Sequence, residues 1–198
     1  TLPAGGELAL TGKKLPKGKV IVDGGEVPAS VVATVDGTKD YYFLISSASA
    51  DAAAETRIDV LGDVAESFTG NEVCKNAINL ANHDWKQKQY GGAYSLRSNN
   101  PKNDLTATNG TFSSPVIAKQ GLITLDAITA KPGCALETGA NGTLLILGGN
   151  YVDATTNAVP GLKIRGGRFQ YDLSGFLDLE FDPTLTMIYE KVDEKVVA

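Results

Sequence analysis

The sequence predicts a mainly β chain: a barrel or sandwich of about eleven short antiparallel strands, with one helix near residues 71–88. Three observations predict it. Short apolar or alternating runs recur along the 198 residues, each closed by a turn signal. Asp36-Gly37, Asn109-Gly110 and Asn141-Gly142 lie beside or between such runs, and these dipeptides suit two-residue antiparallel hairpins. Only one long segment carries apolar residues at helical spacing.

Taken in order, Val20–Val22 is a strand ended by Asp23-Gly24-Gly25, and Val31–Val35 pairs with Tyr41–Ile45 across Asp36-Gly37. The Ala-rich run Asp51–Glu55 reads as a short helical turn with Ser49 as its cap. Ile58–Leu61 is the next strand. Thr69-Gly70-Asn71-Glu72 fits the capping-box spacing, and Val73, Ala77, Ile78 and Ala81 recur behind it at helical intervals. Gly91-Gly92 ends that helix. Further strands are expected at Leu105–Thr108, Thr111–Ala118, Leu122–Ile128, Thr143–Leu147, Leu162–Arg165, Phe169–Leu173, Phe176–Phe181 and Thr186–Val192. The polar stretch 91–114 suggests a division into an extended arm (1–19), an N-terminal β unit with the helix (20–92) and a C-terminal β unit (93–198), or else one continuous domain.

Composition narrows the function classes. The apolar share is that of a globular domain, which excludes disorder, and no run of about 18 apolar residues exists to span a membrane as a helix. Eighteen Lys+Arg against 23 Asp+Glu give a net charge of −5, so no global basic field attracts nucleic acid. Cys74 and Cys134 read as two reduced, mostly buried thiols, and the first 25 residues carry no secretory pattern.

Chemistry is sparse. His83 is the only histidine, which removes multi-histidine zinc sites and makes any Ser-His-Asp triad depend on it. Gly6–Lys14 misses the phosphate-loop spacing by one residue. Asp178, Glu180 and Asp182 alternate with Leu177, Leu179 and Phe181, the pattern of an amphipathic strand with its acids outward. No catalytic residue, cofactor or metal ligand is assigned, and the chain is expected not to be an enzyme.

One stretch has a familiar shape. Lys17-Gly18-Lys19-Val20, a Gly-rich turn, Pro28-Ala29-Ser30-Val31-Val32-Ala33, Asp36-Gly37 and Arg57-Ile58-Asp59-Val60-Leu61-Gly62-Asp63-Val64 follow one another between Leu15 and Ile78. This resembles the head-decoration proteins of tailed bacteriophages. The resemblance covers about 60 residues and departs in length, since residues 91–198 would be an added β domain; a tail-tube or other virion protein fits nearly as well. It implies a non-enzymatic protein of the virion that binds the major capsid protein on the outer capsid surface, commonly as a homotrimer, with no nucleic-acid or membrane partner. Contacts are expected from the N-terminal arm, through Leu2, Leu8, Leu10 and Leu15, and from strand edges near Asp36 and Gly37. The alternatives are a bacterial adhesion-type β-sandwich and a carboxylate-based hydrolase.

Overall fold

A computed structural model describes residues 2–4, 18–24, 26–87, 93–156 and 160–188. About half of the chain, 51%, is strand. The strands are not antiparallel partners in a barrel or sandwich. They wind into a β-solenoid of about five turns, in which each strand lies parallel to the equivalent strand one turn later.

The chain enters through an antiparallel patch. β1 (Leu2–Pro3) pairs parallel with β2 (Lys19–Asp23), which pairs antiparallel with the hairpin of β3 (Ala33–Val35) and β4 (Asp40–Tyr42). This is where the Asp-Gly signal reads as expected, with Gly37 at φ +74°. Helix α1 (Ile45–Asp51) follows and buries Ile45 and Ala48 in the core. It lies just before the Ala-rich run expected to be helical, and Ser49 sits inside it, donating to Asn76 Oδ1 at 2.7 Å rather than capping. The helix start is held instead by Glu66, whose carboxylate accepts from the amides of Ile45 (2.7 Å) and Ser46 (3.2 Å).

From Arg57 onward the chain coils. The first turn holds β5 (Arg57–Val60), β6 (Val64–Ala65) and β7 (Phe68–Gly70). Next come β8 (Ala77–Asn79) and β9 (Asp84–Lys86), and then three long strands that bend around the solenoid: β10 (Leu96–Phe112), β11 (Val116–Ala130) and β12 (Ala135–Ile146). The last turns add β13 (Gly149–Tyr151), β14 (Thr155–Thr156), β15 (Leu162–Ile164) and β16 (Arg168–Phe169). All sixteen strands belong to one hydrogen-bonded sheet.

Parallel register stacks like on like. Ile58, Ile78, Ala107, Leu125, Ile146 and Ile164 form one inward row, fully or almost fully buried. Leu105, Ile123, Leu144 and Leu162 form a second on the same side. A third side stacks Phe68, Leu96, Val116 and Leu136, and a fourth row runs Val64, Trp85, Phe112 and Ala130. Trp85 lies between Phe68 and Phe112 with ring centroids 6.5 and 5.5 Å away, and its Nε1 donates to the Glu66 carbonyl at 2.9 Å. Each such aliphatic or aromatic side chain contributes about 1.5–3 kcal/mol by leaving water. One apolar cluster runs from Ala33 to Leu173.

The helix expected at 71–88 is absent, because its residues are spent on strands. Ala77–Asn79 hydrogen-bonds β5 on one side and β10 on the other, and Asp84–Lys86 lies between β6 and β10. Of the four apolar residues at helical spacing, only Ile78 is buried, while Val73 is exposed. The hairpin reading of the two Asn-Gly pairs is corrected as well. Asn109 takes φ +54° at a corner of the solenoid, where the chain turns onto the next side instead of doubling back. Asn141-Gly142 forms another corner, in register with Gln120-Gly121 one turn earlier. At Asn109 the left-handed residue turns the backbone as sharply as it would in a hairpin.

Candidate interaction surfaces

The β3–β4 hairpin carries Asp36 and Gly37, the only expected contact residues besides Leu2 that fall within the described set. Asp36 is exposed, 3.5 Å from Arg57 Nη2. Thr38 fastens the turn by donating both its amide and its hydroxyl to the Val35 carbonyl. Neither hairpin strand has an open edge, since β4 is paired with β2 and β3 with β5. The outermost strand of this patch is β1, which holds Leu2. Leu8, Leu10 and Leu15 lie outside the described residues.

A polar cluster sits beside the fourth row, the one that holds Trp85. Asp84, with a side chain only 10% exposed, accepts from Ser113 Oγ (2.7 Å) and Lys131 Nζ (3.2 Å), with Lys86 Nζ at 3.4 Å. Burial alone would push this carboxyl up; the hydrogen bonds from Ser113 and Lys131 and the nearby ammonium charges outweigh it and hold it below the usual carboxylate value. The Asp84 amide donates to Asp63 Oδ1, which lies 3.7 Å from His83 Nδ1. Every member of this cluster is engaged with another, the arrangement of a lock between turns. It brings together residues 47 positions apart that no spacing rule in the sequence connects.

The C-terminal end of the solenoid holds a second charged cluster. Phe176–Phe181 is not the amphipathic strand its alternation suggests: Ser174–Phe176 is a 3-10 turn, Leu177 makes a single bridge to Ile164, and turns follow. Asp178 therefore points inward, with a side chain 4% exposed, and accepts from Arg165 Nε at 2.9 Å and Lys163 Nζ at 3.5 Å. Arg165 and then burial and Lys163 shape its titration, with a net shift below the usual carboxylate value. The Arg165 guanidinium in turn lies 3.6 Å from the centroid of the Phe181 ring. Glu180 stays exposed, and Asp182 caps the next turn through the Thr184 amide and hydroxyl.

A groove of about 200 Å³ is lined by Glu55, Lys75, Asn76, Ala77, Asp104 and Thr106, smaller than the ~300–1,000 Å³ usual for small-molecule sites. Among the described residues no group of three or more His, Cys, Asp or Glu could hold a metal ion. Both cysteines are free; Cys134 is buried, and desolvation pushes its thiol up to about 12. No helix of the described residues is long and apolar enough to cross a membrane. Comparison with protein-family models, with curated proteins and with solved structures found no match to this chain.

Proposed function

We propose that this chain is a non-enzymatic structural protein of a virion, which binds the outer surface of a tailed-phage capsid and stiffens it. The observation that supports this reading is the continuity of the sheet. Strand order β1-β2-β4-β3-β5-β8-β10-β11-β12-β14 runs without a break from the entry strand to the last turns. Backbone hydrogen bonds thus connect an edge suited to a partner with a rod that resists bending. At the entry end, β1 has no strand on its outer side among the described residues, and an extended segment of the major capsid protein can extend the sheet there by β-augmentation. The stretch resembling decoration proteins, Leu15–Ile78, covers this antiparallel patch and the first solenoid strands.

The test is co-sedimentation of the chain with expanded shells of the major capsid protein from the same virion, followed by thermal disassembly. Binding at micromolar concentration and a raised disassembly temperature are expected. Deleting residues 1–4 should weaken binding at least tenfold while leaving the β-sheet circular dichroism intact. Shells that pellet without the protein at every concentration would overturn the proposal.

A further inference from the structure

We propose that residues 173–182 are a strap that closes the outer edge of β15 and keeps a second copy of this chain from pairing there. The inference concerns how the solenoid ends and stands apart from the capsid reading.

The last turn has an edge to protect. On one side β15 pairs with β12, through Leu144, Leu145 and Ile146. Its inward residues, Leu162 and Ile164, are buried and belong to the core cluster. A parallel stack that stopped here would end in a row of unpaired N–H and C=O groups, a template for another chain. Repeat folds for this reason carry a distinct terminal unit. In this chain the far side of β15 is met by the strap. Leu177 makes a parallel bridge to Ile164, and the Asp178 amide donates to the Ile164 carbonyl at 2.9 Å. Leu173 is buried within the core cluster, and Phe176 and Leu177 pack against it.

The strap covers the edge without becoming a new one. After the bridge its amides turn inward on the strap itself: Leu179 donates to the Leu177 carbonyl, and Phe181 and Asp182 both donate to that of Asp178. Backbone groups spent on turns offer no regular ladder to a further strand.

Charge fixes which segment sits there. The Asp178 side chain, 4% exposed, meets Arg165 Nε at 2.9 Å and Lys163 Nζ at 3.5 Å, both from the last turn. Glu180 Oε2 lies 3.5 Å from the same ammonium, and the Arg165 guanidinium lies 3.6 Å from the Phe181 ring centroid. A foreign strand that displaced the strap would strip these cations of their buried carboxylate, and breaking such a pair is costly. The edge therefore selects this segment over a second copy of β15 or of any other strand.

The test reverses one charge in the full chain. Asp178→Lys sets a third cation against Lys163 and Arg165 and should release the strap. By light scattering over a concentration series, the wild-type chain should hold one mass. The mass of the variant should climb with concentration by at least one further 20.7 kDa chain. Hydrogen exchange at the Phe181 amide should quicken at least about tenfold, while the fluorescence of Trp85, buried in the early turns, stays unchanged. Adding Arg165→Glu to Asp178→Lys restores an opposite-charge pair and should move both readouts back toward wild type. Phe181→Ala, which removes only the ring on Arg165, should increase association by less than Asp178→Lys does. Three results would each overturn the proposal. One is a folded Asp178→Lys chain whose mass, or whose strap exchange, matches wild type. Another is association that Arg165→Glu does not reduce. The third is loss of the β-sheet circular dichroism in both Asp178→Lys and Phe181→Ala, which would make the segment part of the core and not a cover.

Discussion

Asp84 and Asp178 show how single carboxylates make this fold sensitive to acid. Each is held below the usual carboxylate value in the folded chain: Asp84 by Ser113 and the lysines despite its burial, Asp178 first by Arg165. A depressed folded-state value means that the unfolded chain binds the proton more readily. The stability each carboxylate supplies is therefore present above the unfolded value and is lost as pH falls through the folded one. Stability should be flat near neutrality and fall below about pH 4. The variant Asp84→Asn, Asp178→Asn should start with a lower thermal midpoint at pH 7 and lose fewer degrees between pH 5 and pH 3. Thermal unfolding followed by circular dichroism at each pH checks this. Parallel curves for the two proteins would assign the acid sensitivity elsewhere.

At the scale of elements, the corners decide the path of the chain. Gly142 sits where an added Cβ would lie 1.7 Å from the Ala118 carbonyl oxygen of the preceding turn, whereas one at Gly175 would meet nothing within 4 Å. Gly142→Ala must push two stacked turns apart. It should lower the thermal midpoint by about 10 °C or more, on the basis of several kcal/mol of overpacking at ~2–4 °C per kcal/mol for a chain of this size. Gly175→Ala should shift it by no more than about 2 °C. Equal effects would mean that the turns are not stacked in this register. The Asn109 corner, with φ +54°, explains why local signals misread the connections. Asn-Gly reports a residue that accepts positive φ, and a hairpin and a solenoid corner both need one. Which is formed depends on what lies beside the next strand, and that partner is about 20 residues away.

At the scale of the molecule, a solenoid is nearly one-dimensional: each turn touches only its neighbours. Opening should start at the ends and leave the middle for last. Native-state hydrogen exchange should therefore find the slowest amides at Leu105–Ala107, Ile123–Leu125 and Leu144–Ile146, each flanked by strands on both sides. Faster exchange is expected at β14 and β16, which have one neighbour each among the described residues. Uniform protection from end to end would indicate a single all-or-none unit instead. Trp85, the one tryptophan, is fully buried in the aromatic stack, so its fluorescence follows the early turns.

Much of the strand content was legible, because apolar residues at short intervals must be buried and the turn residues between them break helices. Val20–Val22, Ile58, Leu105–Thr108, Leu122–Ile128 and Leu162–Ile164 all lie in strands. A signal of the solenoid was present too: Leu144-Leu145-Ile146-Leu147-Gly148-Gly149-Asn150-Tyr151 echoes Leu162-Lys163-Ile164-Arg165-Gly166-Gly167-Arg168-Phe169. Those two segments stack in register, ending with the Tyr151 and Phe169 rings 5.3 Å apart. The sequence by itself thus determined that this chain is made of short strands around apolar rows. Only the tertiary structure decided that the rows stack in parallel, and that Asp84 meets Lys131 while Arg165 meets Asp178 and Phe181. Strand direction and cross-turn contacts are set by pairing between residues distant in the chain, and a local pattern of burial is the same whichever neighbour completes the hydrogen bonds.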